Sequence, residues 1–281
     1  MRIDLHLHTT HSDGTLAPTA LLQLVAQAGL DYFSITDHDT LATYHEHADV
    51  LNRYATRLLS GVELSTALDG SDIHILGYNI SPDCRPLKSV LGDRRAIRER
   101  RAKQIVDKLN DAGVSLTMEE VRIQAGSGSI GRPHVARALV QRQAARDVSD
   151  AFARFLGQDA IAYVPSSTLT PADAIGMIKG CGGVAVLAHP VRNGAEAHLP
   201  ELLAAGLDGI EAYSPSHTPH DVERFCALAR QRRLVITGGT DFHQPTAERP
   251  RPGVEIEEDD LTSFLELVAA RAAAHQATQP Q

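Results

Sequence analysis

The chain has 281 residues, of which 43% are hydrophobic, and its formal net charge is −8 at pH 7. This length is enough for one large α/β domain, or for a domain with an insertion, around a sizeable core. The negative charge argues against broad binding to duplex DNA, although a local basic patch would still suit a small phosphorylated substrate. No apolar run is as long as a bilayer span and no secretory signal is evident, so we expect a cytoplasmic protein without a membrane partner.

Cysteine and histidine usage bear on the compartment and on metal binding. Cys84, Cys181 and Cys226 are odd in number, widely spaced and outside every polar motif. They are predicted to be reduced thiols in a reducing compartment and not metal ligands. The 14 histidines are unusual, because histidine is the side chain that most often binds metals. The histidines are therefore the first candidates for a functional site.

The first thirteen residues contain the densest group of candidate ligands. Apolar and polar residues alternate from Ile3 to His8, which is the period of a strand and puts His6 and His8 on one face. A turn rich in threonine, serine and glycine follows and includes Asp13. By themselves the two histidines are more simply explained as the polar face of a half-buried strand. The rest of the chain has to decide whether they bind a metal.

Three more strands are predicted in the first third of the chain, at residues 32–35, 58–64 and 72–80, with helices at 18–28 and 41–54. The first of these strands ends in a polar segment with His38, and α/β folds collect catalytic groups at such ends. The next carries Glu63, whose carboxylate would be costly to bury in an apolar strand without a cation. The last places His74 among apolar residues.

Between residues 87 and 156 the alternation of strands and helices stops. Four helices are predicted there, at residues 94–110, 118–123, 133–141 and 148–156. We interpret residues 87–156 as a helical insertion that contributes to substrate binding. The remaining segments, 1–86 and 157–281, would then form one discontinuous barrel domain with the metal site.

The alternation returns after the insertion. Strands are predicted at residues 183–188, 209–213 and 235–240, and helices at 171–179, 199–205, 219–232 and 261–274. The first of these strands ends at His189, and the last ends at Asp241 and His243. Seven strands alternating with helices imply parallel pairing and right-handed crossovers. The predicted fold is α/β, a distorted (β/α)7 barrel, which would bring the polar strand ends to one mouth.

Nine metal-capable side chains lie at or near predicted strand ends: His6, His8, Asp13, His38, Glu63, His74, His189, Asp241 and His243. Each metal ion takes three or four protein ligands besides water, so nine ligands exceed what one or two ions need. Any one of them, such as His74, is as readily explained as a hydrogen-bonded core residue, but that explanation fails for all nine together. We therefore predict a centre of three divalent ions that share bridging carboxylates.

The ordered set of motifs resembles the PHP family, named for polymerase and histidinol phosphatase domains. The motifs are His6-x-His8 with Asp13, Thr36-Asp37-His38, Gly61-Val62-Glu63, His74, Ala188-His189-Pro190 and Thr240-Asp241-Phe242-His243. The resemblance implies a PHP-type barrel with a di- or trinuclear centre of manganese, iron or zinc. It also implies three ligand groups: His6, His8, Glu63 and Asp241 for one ion, Glu63, His74 and His189 for a second, and Asp13, His38 and His243 for a third.

Such a centre predicts hydrolysis of a phosphate ester. Metal ions lower the pKa of bound water, so that hydroxide is available near neutral pH, and they screen the anionic phosphoryl oxygens during in-line attack. The motifs contain no cysteine or serine nucleophile beside a base. We therefore expect direct attack by hydroxide and no covalent phospho-enzyme.

The insertion is predicted to contribute a second phosphate site. A Gly/Ser-rich loop at residues 126–131 leads into a helix at Pro133, where backbone amides, hydroxyls and an arginine would converge on an anion. A flexible linker explains the loop equally well. The basic helix before it is interpreted mainly as a solvated surface. The candidate substrate-binding residues are Lys103, Ser127, Ser129, Arg132, His134 and, after the strand at 209–213, His217.

Two phosphate sites fit a substrate with two phosphates. The Gly-Arg-Pro-His segment resembles the 3′,5′-nucleotide bisphosphatase branch of the family, which removes the 3′-phosphate from compounds such as adenosine 3′,5′-bisphosphate. Alternatives are a 5′-to-3′ exoribonuclease on short RNAs, a histidinol phosphatase and a non-catalytic metal-binding module. Manganese is the metal expected first. The base preference, oligomeric state and pathway stay open.

Overall fold

A computed structural model describes residues 1–165 and 169–278. Within them, eight strands form: β1 (Arg2–Leu7), β2 (Tyr32–Ile35), β3 (Gly61–Leu68), β4 (Ser71–Tyr78), β5 (Val184–Leu187), β6 (Gly209–Tyr213), β7 (Val235–Gly238) and β8 (Val254–Glu255). The first seven correspond to the seven predicted strands. The two-residue β8 is additional to them.

The strands form two hydrogen-bonded sheets, with the orders β2-β1-β8 and β3-β4-β5-β6-β7. Isolated parallel bridges join the sheets at both sides. His38 pairs with Glu63 between the β2 and β3 sides, and Leu7 pairs with Phe242 between the β1 and β7 sides. The two sheets therefore close into a distorted α/β barrel, as predicted.

The prediction that the strands pair in parallel is wrong for part of the barrel. β3 and β4 form an antiparallel hairpin, and β5 is antiparallel to β4, whereas β1–β2, β5–β6 and β6–β7 are parallel pairs. Asp69 and Gly70, with φ of 48° and 82°, turn the chain between β3 and β4. An Asp-Gly pair with two positive φ angles is a favoured two-residue hairpin turn. It is the sequence signal that separates this hairpin from a helical crossover.

The described residues also form eleven α-helices: α1 (Pro18–Ala28), α2 (Ala42–Glu46), α3 (Ala48–Leu51), α4 (Arg85–Asp111), α5 (Met118–Ala125), α6 (Arg132–Gln141), α7 (Val148–Ala151), α8 (Pro171–Gly180), α9 (Leu199–Ala204), α10 (Pro219–Arg232) and α11 (Glu258–Thr278). Shorter helical segments are the 3₁₀ turns Asn52–Tyr54 and Arg192–His198 and the π-helical turn Phe152–Leu156. None of the described helices has the length and apolar composition needed to cross a membrane.

Local signals explain where several helices begin and end. α1 has Pro18 in its first turn, buries residues spaced i, i+3, i+4 and i+7, and stops at Gly29, whose φ of 65° is left-handed. α10 begins with a capping box, in which Thr218 and Asp221 each satisfy the other's backbone N–H. These boundaries follow from short-range chemistry, which is why the sequence predicts them.

Apolar side chains are buried in three clusters. The largest lies between the strands and α1, α8, α9 and α10, and a second packs α11 against the barrel through side chains such as Tyr78 and Phe264. The third lies among α4 to α7 and includes Leu109, Val135 and Leu139. Each fully buried side chain of this size contributes about 1.5 to 3 kcal/mol. We call α4 to α7 with the π-helical turn the helical layer. The division into barrel and insertion domains stays a prediction.

The structure corrects the prediction of three reduced cysteines. Cys84 and Cys181 form a disulfide, with Cα atoms 5.8 Å apart, and Cys226 is a buried free thiol. Cys84 is the residue before α4 and Cys181 is the residue after α8. A separation of 97 residues in sequence gives no sign of this proximity, because it depends on how α4 packs near α8. The cysteines therefore do not support the predicted compartment.

Candidate active site

The nine predicted metal ligands meet at one mouth of the barrel. They come from β1 and the loop after it (His6, His8, Asp13), the end of β2 (His38), the β3–β4 hairpin (Glu63, His74), the end of β5 (His189) and the end of β7 (Asp241, His243). We call these nine residues the ligand cluster. Six of them are buried, and His74, Asp241 and His243 are partly exposed. Because β4 runs antiparallel to its neighbours, His74 reaches the mouth from within a strand.

Glu63 lies at the centre of the ligand cluster and is fully buried. Five histidine nitrogens lie 2.7 to 3.2 Å from its carboxylate: His74 Nδ1 and His189 Nε2 at Oε1, and His6 Nε2, His8 Nε2 and His38 Nδ1 at Oε2. Burial alone would raise the pKa of Glu63, but the surrounding histidines hold it well below its usual range. The histidines therefore favour the ionised form of this carboxylate.

Two more carboxylates extend the cluster toward solvent. Asp13 places Oδ1 3.1 Å from His243 Nε2 and Oδ2 3.6 Å from His38 Nε2. Asp241 places Oδ1 3.2 Å from His8 Nε2 and 3.4 Å from His6 Nε2. Each histidine in the centre of the cluster therefore faces more than one carboxylate. This is the arrangement expected of ligands that share cations.

The donor atoms of this cluster fit divalent metal ions. Within the described part of the chain, five buried atoms at its centre have no hydrogen-bond partner: His6 Nε2, His8 Nε2, His38 Nδ1, Asp13 Oδ1 and Glu63 Oε2. Leaving several buried donors and acceptors unsatisfied is costly, and native proteins rarely do so. Imidazole nitrogen and carboxylate oxygen are ligands for zinc, manganese and iron. A metal centre would remove the cost at all five atoms together.

Ligand atoms within 4.8 Å of one another define three groups in the cluster: His6, His8, Glu63 and Asp241; His8, Asp13, His38 and His243; and His38, Glu63 and His74. The first group has the predicted membership. The second includes His8 in addition to the three predicted residues. The third contains His38 in the place of His189, whose Nε2 is nevertheless 3.1 Å from Glu63. The assignment of residues to individual ions stays a prediction.

Residues outside the cluster orient its histidines. Glu211 Oε1 lies 2.9 Å from His6 Nδ1, and its Oε2 accepts a hydrogen bond of 2.8 Å from the backbone N–H of His189. His243 Nδ1 donates to the backbone carbonyl of Asp241 at 2.8 Å. A proton held on Nδ1 leaves Nε2 as the free donor for a metal, and such outer contacts fix ring orientation. Glu211 therefore orients the His6 ring and the backbone of His189.

The strand ends hold an uncommon backbone conformation. His189, Asp241 and Asp39 have φ of 29°, 52° and 53°. Positive φ costs of order 1 to 3 kcal/mol for residues other than glycine and collects at functional sites. Asp39 is held by the buried Arg94 and Arg98, with Nη2–Oδ2 distances of 3.1 and 2.7 Å. The surrounding ion pairs and hydrogen bonds therefore stabilise the backbone conformation that orients the ligand side chains.

A cleft with a volume of about 700 Å³ lies between the ligand cluster and the helical layer. Seven of the nine cluster residues line it, and so do Phe152 and Val148. The cleft is also lined by five arginines, namely Arg98, Arg101, Arg132 and Arg137 from the helical layer and Arg192 after β5. We call the four arginines of the helical layer the arginine wall.

The arginine wall has fewer acidic partners than positive charges. Arg101 and Arg132 share one carboxylate, since their Nη2 atoms lie 3.3 and 2.8 Å from Asp72 Oδ2. Arg137 donates two hydrogen bonds of 3.2 Å to the backbone carbonyl of Asp13, which carries no net charge. Burial, and then the charge of Arg132, lowers the pKa of Arg101 to about 9. An anion at this wall would relieve that repulsion.

A match to a known family identifies the kind of protein that has this site. A family model described as PHP domain matches residues 4–162, which is more than half of the chain and includes six of the nine cluster residues. This chain belongs to the PHP domain family. PHP phosphoesterases are metal-dependent, in agreement with the donor atoms of the ligand cluster.

The relatives of this PHP protein are hydrolases of phosphate esters. The 5′-3′ exoribonuclease Rnm of Escherichia coli is 35% identical over 249 residues, which cover 86% of this chain and 85% of the relative. The 3′,5′-nucleoside bisphosphate phosphatase of Chromobacterium violaceum is also 35% identical over 249 residues, with coverage of 86% and 87%. A solved structure from Bifidobacterium adolescentis, described as a metal-dependent phosphoesterase, is 31% identical, covers 94% of this chain and 96% of its own, and has a TM-score of 0.81.

Of the six predicted substrate-binding residues, the PHP cleft is lined by Arg132 alone. Lys103 is 65% exposed and pairs with Asp107 at 2.6 Å. His134 is buried, and its Nδ1 accepts a hydrogen bond of 2.8 Å from the backbone N–H of Gly131, so it caps α6. His217 is buried, and its Nδ1 donates to the Ala212 carbonyl at 2.8 Å. None of these three residues lines the cleft, and their part in substrate binding stays a prediction.

The Gly/Ser-rich loop before α6 packs against the loop that carries Asp13. Ser129 donates its backbone N–H to the His11 carbonyl at 3.0 Å, and Ser127 is exposed. A Cβ atom at Gly128 would lie 2.4 Å from the Thr10 carbonyl oxygen, so glycine is required there. Neither serine lines the cleft. The loop therefore joins the helical layer to the loop that carries Asp13, and anion binding by its hydroxyl groups stays a prediction.

Most of the arginine wall is not among the residues predicted from the sequence. The spacing of Arg94, Arg98 and Arg101 already places them on one helix face, but we interpreted that face as solvated. The structure buries Arg94 and Arg98 against Asp39 and turns Arg101 toward the cleft. Arg192 was not predicted either, and it pairs with Asp241. The signal that could have found these residues is the set of acidic partners that lie far from them in the sequence.

Proposed function

We propose that this PHP-domain phosphoesterase removes the 3′-phosphate from nucleoside 3′,5′-bisphosphates, such as adenosine 3′,5′-bisphosphate, and leaves the 5′-monophosphate. The observation that carries the proposal is that the arginine wall and the ligand cluster line the same cleft, which would give it a second anion-binding surface. A substrate with two phosphates uses both surfaces. The similarity to the C. violaceum 3′,5′-nucleoside bisphosphate phosphatase supports the same substrate class.

The ligand cluster would hold the reacting 3′-phosphate. We propose three divalent ions, manganese first and iron or zinc as alternatives, which when bound supply hydroxide near neutral pH and screen the phosphoryl oxygens. His6, His8 and Glu63 would hold them from the barrel side, and Asp13 and His243 from the open side. Glu211 keeps His6 in the tautomer that a metal requires. Arg192, which lines the cleft beside Asp241, adds positive charge where the phosphoryl group reacts.

The arginine wall would hold the non-reacting 5′-phosphate. Arg132 presents a guanidinium that is already oriented by Asp72 at 2.8 Å and lies 5.7 Å from the centres of the Phe152 and Tyr163 rings. A guanidinium in a fixed position binds phosphate through two parallel hydrogen bonds and loses little entropy. Arg132 and its neighbours therefore set the requirement for a second phosphate.

A 5′-to-3′ exoribonuclease is the second candidate, and the E. coli relative of that name favours it. The same grip on a 5′-phosphate would place the first diester bond of a short RNA at the ligand cluster. Histidinol phosphatase has the same metal requirement but no need for the arginine wall. A non-catalytic module has no need for all nine cluster residues, which are present here.

The test combines metal analysis with a substrate panel. Metal content is measured by inductively coupled plasma mass spectrometry, and phosphate release is measured with adenosine 3′,5′-bisphosphate, 3′-AMP, 5′-AMP and histidinol phosphate. Short RNAs with and without a 5′-phosphate test the second candidate. We expect adenosine 3′,5′-bisphosphate to have the highest kcat/KM and to yield 5′-AMP. Equal rates on 3′-AMP and the bisphosphate, or a preference for 5′-phosphorylated RNA, would contradict the first proposal.

A further inference from the structure

A second group of metal-capable side chains lies apart from the ligand cluster. His11 is in the loop after β1, Glu46 is the last residue of α2, and His47 lies between α2 and α3. One ligand atom from each of the three residues lies within 4.8 Å of the others. We propose that His11, Glu46 and His47 form a peripheral binding site for a transition-metal ion of the zinc class.

The spacing of the three side chains is close to the spacing of ligands around a bound ion. His11 Nε2 lies 3.8 Å from Glu46 Oε2, and the His11 and His47 rings are 5.5 Å apart between centroids. Zinc binds nitrogen and oxygen at about 2.0 to 2.2 Å, so tetrahedral donors lie about 3.3 Å apart. Small side-chain rotations therefore bring the donors into place. Glu46 is 63% exposed, which leaves it free to make that adjustment.

The donor types select the class of metal. Two imidazoles and one carboxylate suit zinc, copper and nickel, whereas calcium and magnesium prefer oxygen ligands throughout. Three protein ligands leave one tetrahedral position for water. His11 is 16% exposed and Glu46 is mostly exposed, so an ion reaches the site from solvent. The site is distinct from the ligand cluster because none of its three residues belongs to that cluster.

An ion at this site would link three parts of the molecule. His11 lies two residues before Asp13 in the same loop, and its carbonyl accepts the hydrogen bond from Ser129 before α6. Glu46 and His47 belong to the α2–α3 segment, whose Thr43 donates to Asp37 at 2.5 Å. The ion would therefore tie the α2–α3 segment to the loop that carries Asp13 and to the helical layer. Its expected effect is to stabilise this side of the cleft without taking part in the reaction.

The test compares four forms of the full chain: wild type, Glu46→Gln, His47→Gln and the control His45→Gln. His45 is exposed, precedes Glu46 on α2 and is outside the group. Each form is loaded with manganese and equilibrated with a zinc buffer, and zinc and manganese are counted by mass spectrometry. We expect wild type and His45→Gln to hold one more zinc ion per chain than Glu46→Gln and His47→Gln. Their melting temperatures should also rise with zinc, and those of the other two forms should not.

Equal zinc content in all four forms would overturn the proposal. If His47→Gln does not fold, Glu46→Gln decides the question, because its side chain is mostly exposed. Phosphate release by the manganese-loaded forms is measured in parallel and is expected to be the same in all four. The proposal of a peripheral metal site is therefore tested independently of the proposed phosphatase activity.

Discussion

Replacement of Arg132 by alanine tests whether the arginine wall sets substrate specificity. Arg132 lines the cleft, and its guanidinium is held by Asp72 at 2.8 Å and by the Leu156 carbonyl at 3.3 Å. Its removal does not leave the Asp72 carboxylate alone, because Arg101 remains 3.3 Å away. We therefore expect the Arg132→Ala variant to fold and to lose a contact with the substrate.

The expected loss depends on whether the substrate has a 5′-phosphate. A charge-assisted, bidentate contact of a partly buried arginine contributes about 2 to 4 kcal/mol. This corresponds to a decrease of about 30- to 900-fold in kcat/KM for a nucleoside 3′,5′-bisphosphate. The 3′-monophosphate has no 5′-phosphate to lose, so its kcat/KM should change by less than about threefold, or about 0.6 kcal/mol.

The assay measures phosphate release from both substrates by wild type and three variants. Arg132→Lys keeps the charge but lacks the planar fork, so its loss on the bisphosphate should be smaller than that of alanine. Arg122→Ala is the matched control, because Arg122 is in the helical layer but pairs at 2.6 Å with the exposed Glu99. We expect this control to behave as wild type on both substrates.

Equal losses on the two substrates would refute the assignment of Arg132 to the 5′-phosphate. That result would mean that Arg132 supports the fold or acts on the reacting phosphoryl group. A metal count and a circular dichroism spectrum of each variant separate these two explanations.

Three further predictions concern the ligand cluster and α6. Glu63→Gln should lose metal and turnover, because a bridging carboxylate neutralises two ions. Its circular dichroism spectrum should stay unchanged. Full metal content with wild-type turnover would show that Glu63 is not a metal ligand. His189→Ala and His243→Ala should lose activity in proportion to metal content, whereas a slow enzyme with all its metal would indicate proton transfer by these residues. Burial lowers the pKa of His134 to about 4 from 6.5, so its contribution to stability is complete above pH 6.5 and is lost as the pH falls through 4. Relative to His134→Asn, wild type should therefore lose about 3 kcal/mol of unfolding free energy between pH 7 and 4, and parallel curves from urea titrations would contradict this.

The sequence by itself determined the barrel strands and the gathering of the ligand cluster. The alternation from Ile3 to His8 and the polar segments after short apolar runs are local patterns, and local patterns fix which side chains leave a strand end. Once the strands are ordered around one barrel, their polar ends meet at one mouth. His6 and Glu63 meet for this reason, although they are 57 residues apart in the chain.

Only the tertiary structure decided which charged side chains face the cleft. Lys103 and Arg101 are both basic residues of α4, yet Arg101 reaches Asp72 and the cleft whereas Lys103 pairs with Asp107 in solvent. The helical periodicity places residues on faces but does not state what each face packs against. What this face of α4 packs against is decided by β4, a strand distant in the sequence, which supplies Asp72.

The same limit explains the other differences. The disulfide of Cys84 depends on the packing of α4 near α8, and the role of Glu211 depends on the packing that brings it to His6 and His189. Each is a contact between residues far apart in the chain, so no window of sequence contains both partners. Local chemistry therefore specified the strands and their polar ends, and long-range packing specified the partners that orient, neutralise and crosslink them.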